Sequence, residues 1–194
     1  MSPSTLLQRR ELLQHLVLIA AGLLGLPRQA SALGGVLPQL DEPAPAFSID
    51  GIQPRAGADP VPARLGTADF AGRWLVLYFY PRDFTSGCTL EARGFQRDLD
   101  AFHQRRAEVV GISADGADSH ERFCGSEGLT YPLLSDAGGA VSRSYGSWLA
   151  PFSLRHTFLI DPEGVLRARW TAVRPAGHSR EILAELDRLQ DPAR

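Results

Sequence analysis

The sequence predicts an α/β fold: a central mixed β-sheet covered by helices on both faces, in a single domain. Three observations carry this expectation. Short continuous apolar runs, Trp74 to Tyr80 and 108–113, read as strands buried on both sides. Amphipathic segments follow each of them, as in strand–helix–strand units. The last third reads as a strand pair, RHTFLI and VLRARWT around Asp161-Pro162-Glu163-Gly164, and then a helix. The chain has 194 residues and 44% apolar content, enough for one packed core and too apolar for intrinsic disorder. Its 20 basic residues, all Arg, face 22 acidic ones, and this balance argues against a nucleic-acid binder.

The elements follow in order. Residues 1–32 read as an export signal. Arg9 and Arg10 supply a positive start, Leu16 to Leu26 an apolar run ended by Pro27, and Ala30-Ser31-Ala32 a small-x-small cleavage site. The paired arginines are similar to a twin-arginine signal. Export then leads to a periplasm or a thylakoid lumen, and no stable membrane association is expected after cleavage. Residues 33–46, rich in Pro and Gly, read as a linker or arm, and 47–194 as the folded domain. Gln53 to Pro62 reads as a loop for the same compositional reason. The strand at 74–80 stops at Pro81, and PRDFTSG forms a loop. From Cys88 to about His103, Phe95, Leu99 and Phe102 mark one face of a helix. A second helix is expected from Asp118 to Glu127, ended by Gly128. YPLLSD is a short strand, and Ser179 opens a final helix with Ile182, Leu183, Leu186 and Leu189 on its apolar face. A thioredoxin-like fold has this order of elements, as do other α/β folds.

Cys88 is the leading chemical candidate. It follows a buried strand and a Thr-Ser-Gly loop and opens a helix, where unpaired N–H groups and the helix dipole favour a thiolate. An oxidant should reach such a sulfur. The Thr85 hydroxyl is near enough to reach the sulfur or a ligand, and the loop amides can stabilise an oxyanion. There is no Cys-x-x-Cys pair, no nucleotide-binding glycine motif and no metal-ligand spacing among the histidines, so neither metal nor organic cofactor is expected.

The segment YFYPRDFTSGCTLEARGF resembles the active-site segment of peroxiredoxins, with Pro81, Thr85 and Cys88 in the pattern P-x-x-x-T-x-x-C. Its flanks are most similar to the peroxiredoxin Q, or bacterioferritin-comigratory-protein, branch, and the likeness continues through VVGIS, YPLLSD and TFLIDPEG. The resemblance implies a thiol peroxidase acting on hydrogen peroxide and organic hydroperoxides. Cys88 would be oxidised to a sulfenic acid. Thr85 would align the peroxide, Pro81 would shield the thiolate, and Arg155 would stabilise it. Many members of this branch carry a resolving cysteine five residues after the first, and here that position is Arg93. The surroundings of Cys124, ERFCGSEGL, resemble instead a helix of the thiol peroxidase branch that carries a resolving cysteine. The resemblance therefore implies an intramolecular Cys88–Cys124 disulfide, recycled by a thioredoxin-like or other thiol reductant, in a monomer. Other roles for Cys124 stay open: core packing beside His120, Phe123 and Glu127, a permanent structural disulfide, or no part in a one-cysteine cycle that uses an external thiol. A non-catalytic domain of the same fold is the competing class.

Overall fold

A computed structural model describes residues 31–55 and 57–191. The predicted signal therefore lies outside the described residues, apart from Ser31 and Ala32. These two form a minimal strand, β1, paired with β2 (Gly35–Val36). The main sheet has seven strands. They are β3 (Ser48–Arg55), β4 (Ala58–Gly66), β5 (Trp74–Phe79), β6 (Ala107–Ser113), β7 (Leu133–Ser135), β10 (His156–Ile160) and β11 (Leu166–Trp170), in the spatial order β11-β10-β5-β6-β7-β3-β4. Strands β5, β6 and β7 are mutually parallel, and the flanking pairs are antiparallel. A two-stranded ribbon, β8 (Trp148–Leu149) with β9 (Phe152–Ser153), lies outside it.

Side-chain alternation along β5 divides the core in two. Val76, Tyr78 and Tyr80 point into one cluster, which also holds Cys88, Phe95, Phe123, Cys124 and Ile182. Leu75, Leu77 and Phe79 point into the other, with Val141, Tyr145 and Phe158. The first face is covered by α1 (Ser86–Arg97), α2 (Leu99–Gln104), α3 (Ala117–Glu127) and α5 (His178–Gln190). The second is covered by α4 (Ala140–Ser144), a 3-10 turn over 67–70 and the segment before β3. Both cysteines thus share one side of the sheet.

Two expectations need correction. Gln53 to Pro62 is not a loop. It is most of an antiparallel hairpin, β3–β4, whose last pair before the turn is Arg55 with Ala58. Pro60 and Pro62 are tolerated because β4 is an edge strand, where a missing N–H need not break a ladder, and Pro54 sits at a register irregularity of β3 beyond its pairing with β7. The single helix expected from Cys88 to His103 is divided at Asp98, which caps α1 and receives hydrogen bonds from Arg97 and from Ser179 of α5.

Residues 33–46 run along the outer edge of the sheet. Asp41 donates to the Leu166 carbonyl at 2.8 Å, Leu166 donates back to Glu42 at 2.9 Å, and Ala44 donates to Gly164 at 2.9 Å. The Arg167 guanidinium reaches Asp41 at 2.9 Å. Leu37 buries its side chain in the second core cluster.

Candidate active site

The loop 81–85 leaves β5 and enters α1, whose N-cap is Thr85 in an extended conformation. Cys88 is therefore the third helical residue, within the first turn where backbone N–H groups lack helical acceptors. Phe84 adopts φ 59°, a left-handed conformation that is uncommon for a bulky residue and costs about 1–3 kcal/mol. The ring it presents to solvent packs edge-on against Phe123 of α3, with centroids 5.1 Å apart.

Arg155, just before β10, is brought beside Cys88. Its Nη2 donates to the Cys88 sulfur at 3.3 Å, and its Nη1 donates to Glu91 Oε2. Glu91 lies one turn beyond the cysteine on α1, with its side chain fully buried. Burial pushes the Glu91 carboxyl up to about 7, and the Arg155 charge opposes the rise. Burial works against the charge on Arg155, but Glu91 and Cys88 outweigh it and hold its pKa above the usual value. Glu91 Oε1 has no hydrogen-bond partner. The sequence reading missed Glu91. Its signal was its position, three residues after Cys88 on the same helix face.

The close approach of Arg155 also explains Gly87. A Cβ there would stand 3.1 Å from Arg155 Nη2 and 3.8 Å from Pro175 Cγ. The other expected residues are placed less directly. The Thr85 hydroxyl donates to the Arg82 carbonyl at 3.2 Å, and the residue is exposed. Pro81 is half-buried at the end of β5. Cys88 itself is 1% exposed, tighter than a sulfur at an open helix mouth, because its side chain joins the core cluster below the loop.

Cys124 lies on α3 and is also buried, and both cysteines are unbonded thiols. Burial pushes the Cys124 thiol up to about 12, with the Asp83 charge adding to the rise. Arg93, at the position where the branch often has its second cysteine, pairs instead with Glu127 at the end of α3 at 2.5 Å. A polar cluster then joins the active-site loop to α3. Asp83 accepts from Tyr80 at 2.8 Å and from Ser119 at 2.7 Å, and sits 3.0 Å from His120 Nδ1. Its backbone N–H donates to Asp115 at 2.9 Å. Sequence reasoning did not find this cluster, because its members lie far apart in the chain. Among the described residues no group of three or more His, Cys, Asp or Glu side chains is arranged to hold a metal ion.

A cysteine in the first turn of a helix that receives a guanidinium hydrogen bond, on a mixed sheet of this order, defines a thiol-chemistry site. The AhpC/TSA family model matches residues 40–169, and the chain belongs to this family, the peroxiredoxins. It is a peroxiredoxin enzyme of thioredoxin-like, single-domain fold, with thiol peroxidase activity. Its relatives support the Q, or bacterioferritin-comigratory-protein, branch. Peroxiredoxin Bcp of Xanthomonas campestris is 40% identical over 125 residues, covering 60% of this chain and 78% of the relative. The mitochondrial thioredoxin-dependent peroxide reductase of Drosophila melanogaster is 37% identical over 177 residues, covering 87% of this chain and 71% of the relative. Among solved structures, the Xanthomonas campestris bacterioferritin comigratory protein superposes with a TM-score of 0.64 at 32% identity, covering 73% of this chain and 90% of that one.

Proposed function

We propose that the protein reduces hydrogen peroxide and organic hydroperoxides at Cys88, resolves the product through Cys124, and is recycled by a thioredoxin-like reductant. The observation that carries this reading is the Arg155 guanidinium, 3.3 Å from the Cys88 sulfur and anchored by buried Glu91. A fixed positive group and the amino end of α1 both face the sulfur, where negative charge must be carried during the attack. The thiolate attacks one peroxide oxygen. The S–O bond forms as the O–O bond breaks, and the departing alkoxide or hydroxide takes a proton and leaves as alcohol or water. Negative charge spreads over both oxygens as this happens, and Arg155 is placed to stabilise it. Thr85 would turn from the Arg82 carbonyl to the peroxide, and Pro81 would keep water from the sulfur.

Two namesakes support the finer points. Alkyl peroxide reduction is the activity described for the Xanthomonas protein, and thioredoxin dependence is in the name of the Drosophila relative. For resolution, Cys124 must reach Cys88 with Cα atoms within ~7 Å. We infer that the end of α3 unwinds to allow it. Gly125 weakens that turn, and Gly128, at φ 63°, already ends the helix. The export signal belongs to the same proposal, with a monomer working in a periplasm or lumen. N-terminal sequencing of the protein from cells reads the cleavage directly.

The test uses the reduced chain and its cysteine variants. The wild type should consume peroxide stoichiometrically and yield a Cys88–Cys124 disulfide by non-reducing peptide mapping. Cys88→Ser should consume none. Cys124→Ser should reduce one peroxide and then fail to turn over with thioredoxin. Full thioredoxin-coupled turnover by Cys124→Ser would instead establish the one-cysteine cycle. Peroxide consumption by Cys88→Ser would remove Cys88 from the chemistry.

A further inference from the structure

His120 lies on α3 one helical turn before Cys124, so the two side chains share a face. Its side chain is completely buried. Its Nδ1 is 3.0 Å from Asp83 Oδ2, and the Tyr80 hydroxyl, 3.4 Å from Nδ1, donates to the other oxygen of Asp83. A carboxylate can only accept, so Nδ1 carries the proton and Nε2 carries a lone pair. That Nε2 is buried and has no hydrogen-bond partner. A buried polar atom left unsatisfied costs about 1–3 kcal/mol and calls for a reason.

One turn along that face is Cys124; no hydrogen bond joins it to Nε2 in the reduced protein, so proton transfer accompanies the movement of Cys124. Its thiol is held un-ionised by burial and by the nearby Asp83 charge, so it is a poor nucleophile as it stands. The ionisable groups around the pair are Asp83 from the active-site loop, Tyr80 from the end of β5, and Tyr131 from the segment before β7. Neither buried tyrosine is suited to take a proton at neutral pH, since burial raises both.

We propose that Asp83 and His120 form the proton acceptor for Cys124, with the bare Nε2 of His120 taking the thiol proton as Cys124 attacks the oxidised Cys88. The inference rests on the reading of Cys124 as the resolving residue. The S–H proton passes to Nε2, and the resulting imidazolium is stabilised by the Asp83 carboxylate. The Cys124 sulfur bonds to the Cys88 sulfur as the Cys88 S–O bond breaks. Cys124 is oxidised, the sulfenic sulfur is reduced to the disulfide level, and the departing hydroxide takes the proton from the imidazolium and leaves as water. Asp83 holds the first turns of α3 to the active-site loop through Ser119 and His120. The base is thus fixed at one end of the helix while the other end, at Gly125 and Gly128, releases the sulfur.

The experiment is a rapid-quench measurement on reduced protein given one equivalent of hydrogen peroxide. It follows Cys88 oxidation and Cys88–Cys124 disulfide formation separately by thiol blocking and mass spectrometry. His120→Asn keeps an amide donor for Asp83 and removes the base. Disulfide formation at pH 7 should fall by roughly a hundredfold relative to Cys88 oxidation in the same sample. It should climb about tenfold per pH unit in the variant, following hydroxide, where the wild type depends less steeply on pH. An unchanged rate and pH profile, or an equal slowing of both steps with a lowered urea midpoint, overturns the proposal. If the wild type forms no such disulfide, the resolving reading itself is overturned and this one with it. Should His120→Asn fail to fold, nitrogen-15 spectra of the wild-type imidazole decide. A bare Nε2 and protonated Nδ1 are expected, and a protonated Nε2 overturns the assignment.

Discussion

Arg155 joins two groups that compete for its charge, the Cys88 sulfur on one nitrogen and the Glu91 carboxylate on the other. A planar guanidinium can serve both at once, and an ammonium cannot. Arg155→Lys should therefore lower the second-order rate constant with hydrogen peroxide by roughly a hundredfold, measured by stopped flow. Gly87→Ala is the gentler probe. The added methyl would crowd Nη2 at 3.1 Å, so the guanidinium must give by a few tenths of an ångström. The helix gains from losing a glycine, so stability should hold, while the peroxide rate falls roughly tenfold. A variant that keeps the wild-type rate would show that the guanidinium position is not critical. Cys88 was legible in the sequence because strand, loop and helix in succession mark its place. Arg155 was not, since it lies 67 residues away along the chain, and only the family resemblance pointed to it. Asp83 and His120 carried no signal of pairing, since a loop residue and a helix residue 37 apart have no shared period.

Among the elements, α3 carries the strongest expectation. A helix that must loosen for Cys124 to move should be sensitive to its own propensity. A Cβ on Gly125 would meet no atom within 4 Å, so Gly125→Ala adds no clash. It should stabilise α3 by up to ~1 kcal/mol and slow disulfide formation by up to about fivefold, with Cys88 oxidation as the reference. Hydrogen exchange should show 124–128 protected in the reduced protein and open in the disulfide form. Faster resolution in the variant would mean that α3 does not unwind. The helices and buried strands were readable because their apolar periods are strong. The β3–β4 hairpin was not, because proline is a loop signal in sequence and an edge-strand residue in this sheet. The break at Asp98 was hidden for another reason: the apolar face of Phe95, Leu99 and Phe102 runs straight across it.

At the scale of the molecule, the buried Glu91 makes stability depend on pH. Its carboxyl binds a proton more readily folded, at about 7, than its ordinary value of 4.5 allows when unfolded. Stability should thus be highest below about 4.5 on this account, fall as pH rises to about 7, and be flat above. Burial lowers His156 and His178, which act in the opposite sense: they hold their neutral form when folded, and stability is lost as pH drops below the ordinary value of 6.5. Urea midpoints measured across this range should show Glu91→Gln removing the first slope and leaving the second. An unchanged first slope would assign it to another group.

The sheet ends in two different ways. On one side β4 carries Pro60 and Pro62, which lack the N–H that an incoming strand would need. On the other, the chain from Asp41 to Ala44 already occupies hydrogen-bonding groups around Leu166. Among the described residues, both margins are partly closed to a stranger's backbone. If α3 loosens in each turnover as proposed, these guarded margins limit the ribbon on which neighbouring molecules could polymerise into fibrils.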